Sequence, residues 1–147
     1  REASFEVGDL RLTTRLIEGE FPNYRGLIPA SHPNQLTVSR ESLVEAVRRV
    51  KLMAREANTP VRLVMSSDGL ELVAITQDVG QANEQLDAEY SGEDLTVAFN
   101  PDYLLSGVEV SPGEEITRHT VDAQKPAVIR AQGAEEFLYL IMPVRVS

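Results

Sequence analysis

The side chains that could carry out catalysis are few in this sequence. It contains two histidines, His32 and His119, and no cysteine. His32 lies in a predicted loop flanked by prolines and His119 in a predicted strand, which favours ordinary surface or loop positions over a metal or catalytic site. The carboxylates of Glu114–Glu115 and of Glu135–Glu136 are adjacent, so on a strand they point to opposite faces and cannot share a proton. The sequence therefore indicates a protein without catalytic residues, metal site or cofactor.

A basic flank on the first predicted helix indicates a different chemistry. The whole chain is acidic, with a net charge of −9, yet three cations cluster on that flank. They are Arg48, Lys51 and Arg55. One interpretation is a solvated surface on which Glu41 and Glu45 pair with Arg48 and Arg49. The other is a contact with a phosphate backbone that does not depend on base sequence.

The same helix predicts a core stripe and one apolar side chain outside it. The residues of the stripe fall within about 60° on a helical wheel; they are Leu43, Val47, Val50 and Ala54. Leu52 lies outside the stripe, about 140° from Val47. A large apolar residue in that position indicates a second packed surface.

The elements that must position these residues form one sheet-rich α+β domain. Alternating apolar residues around Gly8–Asp9 predict a hairpin. Ser39 predicts a helix that begins near Arg40, and Asn100 followed by Pro101 predicts a second, short helix. Strands are predicted at 35–40, 60–67, 68–76, 81–90, 95–100, 114–122, 126–133 and 136–146, and the second to fourth of them should form a meander.

The composition and the hydropathy of the sequence bear on the cellular location of the protein. No apolar stretch approaches the roughly 20 residues that span a bilayer, and the first residues lack the apolar segment of a signal peptide. The absence of cysteine is compatible with a reducing compartment. The sequence therefore predicts a soluble, cytoplasmic protein with no membrane partner.

The last predicted strand is apolar on both of its faces. Phe137, Tyr139 and Ile141 lie on one face of this segment, whereas the other face carries a second apolar set. That second set consists of Leu138, Leu140 and Met142. Either the strand is enclosed within a core, or one face stays apolar because a partner docks there.

Three segments resemble the C-terminal third of the bacterial sliding clamp, the β subunit of DNA polymerase III. They are RLIEGEFPNYRGLIP at 15–29, YSGEDLTVAFNPDYLL at 90–105 and YLIMPVRV at 139–146. The resemblance implies the DNA-clamp fold, an α+β fold of antiparallel sheets with two helices on the inner face. It also implies that residues 1–147 form a single domain that corresponds to the third domain of a clamp, with the first and second domains absent.

This resemblance implies a function in DNA replication that is not enzymatic. Sliding clamps are processivity factors in which two protomers form a ring around duplex DNA. Their partners are the DNA polymerase III α subunit, the clamp loader, other DNA polymerases and repair proteins. These partners insert linear motifs, often of the type Gln-Leu-x-Leu-Phe, into a pocket between the second and third domains.

The resemblance also assigns residues to that pocket. A deep apolar subsite is expected from Pro22, Leu27, Leu140 and Met142. A shallower subsite is expected from Asn100, Tyr103, Pro126, Pro143, Val144 and Arg145. Arg25 should add a polar contact. Gly26 stands where some clamps have a second arginine, so the resemblance assigns no second polar contact to that wall.

DNA and a second protomer should contact other surfaces. By the same comparison Arg48, Lys51 and Arg55 face the DNA, whereas Leu52 and Met53 pack across the interface between protomers. The edge strand at that interface carries Asn83, Glu84, Gln85 and Leu86. Because the partner surface lies on the absent first domain, the isolated chain is predicted to be a monomer. The alternative is a free-standing, β-rich peptide-binding domain that never meets DNA, and an enzyme ranks third.

Overall fold

The structure, a computed structural model, describes residues 1–54, 59–76 and 80–145. These residues form eleven β-strands, two α-helices and a short 3-10 helix at Tyr24–Leu27. The strands are β1 (Glu2–Val7), β2 (Leu10–Arg15), β3 (Asn34–Ser39), β4 (Val61–Ser66), β5 (Gly69–Thr76), β6 (Gly80–Leu86), β7 (Ala88–Ser91), β8 (Leu95–Phe99), β9 (Glu115–Thr120), β10 (Ala127–Ala131) and β11 (Ala134–Ile141). The helices are α1 (Arg40–Lys51) and α2 (Pro101–Glu109).

The strands pair antiparallel in three sheets. A five-stranded sheet has the order β11-β10-β9-β3-β7, and a four-stranded sheet has the order β6-β5-β4-β8. The strands β1 and β2 form a separate two-stranded sheet. The predicted α+β class with antiparallel sheets and two helices is confirmed, and β4, β5 and β6 form the predicted meander.

Both larger sheets and both helices share one apolar core. Leu43, Val47 and Val50 of the predicted stripe are buried in it, and Ala54 packs against it. The sheets contribute inward residues at every second position, as period-two burial along β4 shows. Large side chains from the different layers meet there, among them Leu36, Leu63, Phe99, Leu104 and Ile129.

Both helices begin at the positions predicted from their capping residues, directly after Ser39 and Asn100. The hydroxyl of Ser39 accepts a hydrogen bond from the Ser42 N–H at 3.4 Å. At α2 the Asn100 Oδ1 accepts hydrogen bonds from the backbone N–H groups of Asp102 and Tyr103, at 2.8 and 3.3 Å. These bonds satisfy N–H groups that the first turn of a helix leaves unpaired.

The prediction of a single strand at 81–90 is wrong in one respect, because the chain passes from one sheet to the other within this segment. Residues up to Leu86 pair with β5, whereas residues from Ala88 onward pair with β3 in the other sheet. Ala82, Leu86, Ala88 and Tyr90 all contact the core. Because the alternation keeps the same phase across Asp87, the sequence pattern could not reveal the change of sheet.

The predicted strand at 136–146 is too long. Strand β11 ends at Ile141, because Pro143 has no N–H to continue the ladder. The tail then crosses to the four-stranded sheet, where the Val144 N–H donates to the Ala98 carbonyl at 2.8 Å. The end of the chain thus links the two larger sheets.

A buried arginine provides a second link between these sheets. Arg118 on β9 is 3% exposed, and its Nη1 donates to the Met65 Sδ at 2.7 Å. The guanidinium carbon lies 4.9 Å from the ring centre of Phe99, a cation–π distance. Burial lowers the pKa of Arg118 to about 10, so the side chain stays charged at neutral pH. Met65 and Phe99 belong to the four-stranded sheet, so this side chain reaches from one layer to the other.

The N-terminal hairpin lies apart from the core. Its strands are joined as predicted, with Val7 opposite Leu10 and Gly8 at a φ of 59°. Phe5, Val7, Leu10 and Leu12 are 57, 78, 72 and 60% exposed. The first buried residue is Asn34. The single domain over residues 1–147 therefore stays a prediction, since the hairpin adds nothing to the core of this chain.

One close approach in the core leads to a prediction for Gly107. A Cβ atom added there would lie 2.6 Å from Cγ of the Tyr139 ring, which packs on the backbone of α2. In Gly107→Ala the gain in helix propensity, about 1 kcal/mol, should be outweighed by an overpacking cost of roughly 1–3 kcal/mol. Urea unfolding should show a net loss of up to about 2 kcal/mol. The exposed neighbour offers a control, Ser106→Ala, which should stay within about 0.5 kcal/mol. Equal or greater stability of Gly107→Ala would contradict the packing described.

Candidate functional site: an apolar cleft and a helical face

The two apolar faces of β11 have different surroundings. Ile141 is 4% exposed within the core, and Tyr139 packs against that core. Leu140 points to the outward face, where it is half-buried opposite Val128 of β10. Val128 has no exposed surface, yet it lies outside the main core cluster. The outward face of the five-stranded sheet is therefore partly covered.

A cleft of about 360 Å³ opens beside this outward face. One wall is the segment that leads from the 3-10 helix to β3, and the other is the connection between β9 and β10. The first wall contributes Gly26, Leu27, Pro29, Ala30 and Ser31, and the second contributes Val121, Lys125 and Pro126. We call this feature the motif cleft. Its lining is mostly apolar, and it brings together two predicted site residues, Leu27 and Pro126.

Hydrogen bonds fix the second wall of the motif cleft. The Asp122 carboxylate accepts from the backbone N–H groups of Gln124 and Lys125, both at 2.8 Å. These bonds lower the pKa of Asp122, and the Lys125 ammonium adds to the effect. The Asn34 side chain donates to the Val121 carbonyl at 2.9 Å, which ties this wall to β3.

Met142 lies next to the motif cleft. Ala127 pairs with Ile141 in the antiparallel ladder of β10 and β11, so Pro126 and Met142 are the next residues at the same end of the two strands. Met142 is 57% exposed although it is apolar. A flexible thioether at such a position suits contacts with varied apolar side chains.

Pro126, a predicted residue of the shallower subsite, lines the motif cleft instead. The other predicted residues of that subsite lie near the inward face of β11 or in the tail after it. The Tyr139 hydroxyl donates to the Tyr103 carbonyl at 2.8 Å, so the end of β11 adjoins the first turn of α2. The Tyr103 side chain is 64% exposed there. Asn100 caps this helix, which leaves its Oδ1 engaged with backbone. In the following tail Pro143 and Val144 are half-buried and Arg145 is exposed.

Two predicted residues of the first wall are exposed and do not line the cleft. Pro22 precedes the 3-10 helix, and its carbonyl accepts from the Tyr24 N–H at 2.8 Å. Arg25 lies within that helix, with its guanidinium 6.0 Å from the Tyr24 ring centre. The structure therefore leaves Pro22 and Arg25 outside the cleft lining, which begins at Gly26.

The predicted DNA-facing cations are paired within the chain. Arg48 Nη2 lies 2.9 Å from a carboxylate oxygen of Glu109, and Lys51 pairs with Asp102. Both carboxylates belong to α2, so the pairs bridge the two helices. Glu109 was not among the expected partners of Arg48, because pairing across helices cannot be read from spacing within α1. Arg55 lies outside the described residues.

The residues of the predicted protomer interface differ in their exposure and in their contacts within the chain. Leu52 is 72% exposed, as its place outside the core stripe indicated, whereas Met53 packs against the core. Strand β6 is an edge of the four-stranded sheet. Among its predicted contact residues Asn83 donates to Glu71 at 3.2 Å, Glu84 pairs with Arg49, and Gln85 is exposed.

Leu86 needs a correction as an interface side chain. It is 7% exposed and belongs to the core cluster, because it faces inward at the end of β6. Only its backbone is positioned to contribute to an edge-strand contact.

The two histidines lie against each other, which the sequence did not indicate. The ring centres of His32 and His119 are 5.1 Å apart at an interplanar angle of 62°. The Nε2 atom of His32 is buried and has no hydrogen-bond partner in the part of the chain that the structure describes. Burial, and secondarily the Arg130 charge, lower the pKa of His32. The pKa of His119 is lowered by burial first, and then by His32 and Arg130.

Neither membrane spans nor metal clusters emerge from the residues described. Over the ranges 1–54, 59–76 and 80–145, no helix is long and apolar enough to cross a bilayer. Within the same ranges, no three His, Asp or Glu side chains are grouped as they would be around a metal ion.

Comparisons with known proteins agree on one family. A family model described as DNA polymerase III beta subunit, C-terminal domain, matches residues 25–145. A beta sliding clamp from Streptomyces coelicolor is 41% identical over an alignment of 151 residues. The alignment covers 97% of this chain and 39% of the relative. One from Synechocystis is 35% identical, covering 97% of this chain and 37% of the relative. The chain thus spans well under half the length of these relatives.

Solved structures give the same result. The DNA polymerase III beta subunit of Thermotoga maritima is 29% identical with a TM-score of 0.89, covering 100% of this chain and 40% of that structure. A sliding clamp from Bartonella birtlesii is 35% identical with a TM-score of 0.90, covering 99% and 42%. The matching family model, the relatives and the shared fold lead to one conclusion. The chain belongs to the DNA polymerase III beta subunit family, the bacterial sliding clamps, and contains its C-terminal domain.

Proposed function

We propose that this chain is the partner-binding part of a DNA polymerase processivity factor, a non-catalytic sliding clamp. Linear motifs of the DNA polymerase III α subunit, the clamp loader, other DNA polymerases and repair proteins dock at the motif cleft. The observation that carries the proposal is the apolar outward end of β11, where Met142 is 57% exposed beside Pro126 and the cleft. An apolar surface of this kind is typical of a site that another chain covers.

The motif would lie along two connected surfaces. Its apolar end contacts Leu27 in the cleft and, on the outward face of the sheet, Leu140 and Met142. Its other end extends past Pro126 toward Tyr103 and the tail of residues 143–145. Hydrogen bonds hold α2 and the tail to the sheets, so these two surfaces need little reorganisation to bind a peptide.

The exposed N-terminal hairpin supports assembly with a further domain. Its apolar side chains, such as Val7 at 78% exposure, have no cover within the described residues. A two-stranded hairpin is marginally stable on its own in water. In our proposal it packs against the preceding domain of a complete clamp, which also supplies the rest of the peptide pocket. Isolated, the chain should then bind a motif weakly.

In the complete protein, we propose, two protomers form a ring and the helices α1 and α2 face the duplex. Leu52 and the edge strand β6 then meet the neighbouring protomer, whose contact surface this chain lacks. On its own the chain is accordingly a monomer. Contacts with DNA are loose and independent of sequence, since Arg48 and Lys51 can engage only a few phosphates.

The alternative function, a peptide-binding domain without a DNA role, is favoured by a specific observation. Two of the three predicted DNA-facing cations are already paired with carboxylates of α2, Arg48 with Glu109 and Lys51 with Asp102. We call the surface formed by these four residues the helical face. A chain with a net charge of −9 repels DNA in general. If the pairs are permanent, the helical face has no free positive charge to offer a phosphate.

Peptide binding is tested by truncating the exposed apolar anchor. The probe is acetyl-Gln-Leu-Ser-Leu-Phe-amide, and Met142→Ala or Leu140→Ala should each weaken its binding by about 1–2 kcal/mol, the scale of a truncated apolar anchor. Isothermal titration calorimetry with the 147-residue chain measures this. The matched control is Ile75→Ala, which removes a 46% exposed apolar side chain from the other sheet and should leave the affinity unchanged. If Met142→Ala and Leu140→Ala bind the peptide as tightly as the control Ile75→Ala does, the motif cleft is not the binding site.

A second experiment decides between the two roles of the helical face. Removing the partner charges in Asp102→Asn/Glu109→Gln frees Arg48 and Lys51, so duplex binding at low salt should strengthen. The plot of log K against log salt should become steeper by roughly two, about 0.9 for each extra phosphate contact. Fluorescence anisotropy with a labelled duplex measures both quantities.

Its control changes net charge by the same amount elsewhere, in Glu135→Gln/Glu136→Gln, two exposed residues of β11. If both double variants respond equally, the effect is one of overall charge. The helical face would then have no special role with DNA.

A further inference from the structure

We propose that the contact between His32 and His119 holds the two walls of the motif cleft together and is lost at low pH. We call this contact the fastener. It makes both histidines positioning residues for Leu27, and hence for a bound motif. The part of the inference that concerns peptides rests on the function proposed above, whereas the part that concerns the walls can be tested without any ligand.

The position of the pair along the chain is the first argument. His32 directly follows Ser31, the last lining residue of the first wall. His119 precedes Val121, the first lining residue of the second wall, by two positions. With ring centres 5.1 Å apart in an edge-on arrangement, the pair joins the walls where both originate.

The surroundings of the pair connect it to the peptide surface. His119 lies opposite Val128 on β10, and Val128 lies opposite Leu140 on β11. These three side chains form one row across the outward face of the sheet. Val128 is fully buried at the centre of that row. His32 packs on His119 at one end of the row. Separating the rings would uncover that end and remove this contact between the sheet and the segment that leads to Leu27.

The motion is confined by hydrogen bonds at the next residues. The Asn34 side chain donates to the Val121 carbonyl at 2.9 Å and accepts from the Glu93 N–H at 3.1 Å. These bonds involve no group that titrates near neutral pH. The start of β3 therefore stays in place, and only the segment before Asn34 is free to move.

Charges around the pair oppose protonation. Besides burial, the groups that lower the two pKa values are Arg130 on β10 and, for His119, the His32 ring. Gln35 on β3 and Val128 on β10 are opposite His119 and are uncharged. At the cleft rim Lys125 and Asp122 lie 3.8 Å apart and pair with each other. Among the described residues, the charges that act on the two pKa values therefore include no carboxylate that would stabilise an imidazolium ion.

The sign of the pH dependence follows from these pKa directions. Both histidines bind protons less tightly in the folded chain than at their ordinary pKa of 6.5. The stabilisation from the neutral pair is complete above pH 6.5 and is lost as the pH falls from there through the lowered pKa values. Acidification should therefore separate the rings before it unfolds the sheets.

Nuclear magnetic resonance of the 147-residue chain tests the fastener directly. The chain has only two histidines, so the imidazole Cε1–H signals can be assigned by single substitutions. Between about pH 7.5 and 5.5 the amide signals of residues 26–31 should shift with the imidazole midpoints. Their heteronuclear NOE values should fall, reporting faster local motion. In the same range the acetyl-Gln-Leu-Ser-Leu-Phe-amide affinity should weaken by roughly fivefold, a modest coupling. This peptide has no titrating group.

The matched variant is His32→Phe/His119→Phe, which retains two aromatic rings but cannot be protonated. It should keep the amide signals of residues 26–31 and the peptide affinity constant across the same pH range. A second variant, Arg130→Gln, removes the neighbouring cation and should raise both imidazole midpoints. Amide shifts of wild-type size in the double phenylalanine variant would overturn the inference, and so would histidine midpoints at or above 6.5 in the wild-type chain.

The two proposals fail in distinguishable ways. If the peptide binds at neither pH but the amide signals follow the histidines, the fastener holds and the proposed function of the cleft is wrong. If the peptide binds equally at both pH values and the amides do not respond, the cleft stands and the fastener is wrong.

Discussion

The fold depends on one constraint, which is that the five-stranded sheet carries apolar side chains on both of its faces. The inner face is covered by the helices and by the four-stranded sheet. Within the described ranges no second layer covers the outer face, although Val128 on that face is fully buried. The segment before β3 and the connection between β9 and β10 border that side of the molecule, whereas the tail after β11 crosses to the four-stranded sheet. The motif cleft and the exposed Met142 lie where this covering stops.

This arrangement relates stability to function. The residues that complete the apolar cover, such as Leu27 and Leu140, are the ones proposed to meet a partner. A bound motif would extend the cover over side chains that are now half-buried or exposed, so binding continues the burial that stabilises the fold. Rigid features around the cleft limit the cost in entropy. The Asp122 turn fixes one wall, and the Tyr139 hydroxyl bond fixes the helix that carries Tyr103.

The helical face follows a different physical principle. Its ion pairs are largely exposed, with side-chain accessibilities of 62% for Arg48 and 40% for Glu109. Exposed pairs of this kind contribute little to stability. They can exchange a carboxylate for a phosphate at small cost. In the proposed function, an acidic protein can thus carry a face that engages DNA weakly enough for a clamp to move along the duplex.

Local features of the fold could be predicted from the sequence, and long-range ones could not. Ser39 and Asn100 fix the starts of the helices through short-range hydrogen bonds, and Gly8 fixes the first hairpin. The change of sheet at Asp87 left no signal, because the alternation of inward residues continues through it. Nor could spacing show that His32 meets His119, or that Arg48 reaches Glu109, because sheet order and helix packing create those contacts.

The candidate site was predictable only in part, and for the same reason. A strand that is apolar on both faces indicated a docking surface near Leu140 and Met142, but it did not indicate what adjoins them. The resemblance to sliding clamps supplied Leu27 and Pro126, which the structure brings together in the cleft. It also assigned Leu86 to an interface, although the inward orientation of that side chain buries it. A carried-over assignment therefore has to be checked against the burial of each residue.

The most direct measurement is a crystal structure of the 147-residue chain with acetyl-Gln-Leu-Ser-Leu-Phe-amide. We expect the second leucine and the phenylalanine of the peptide within about 4.5 Å of Leu27, Leu140 and Met142, the usual limit for apolar contact. Met142, now 57% exposed, should become largely buried. A peptide bound to another surface, with Met142 as exposed as before, would contradict the assignment of the cleft.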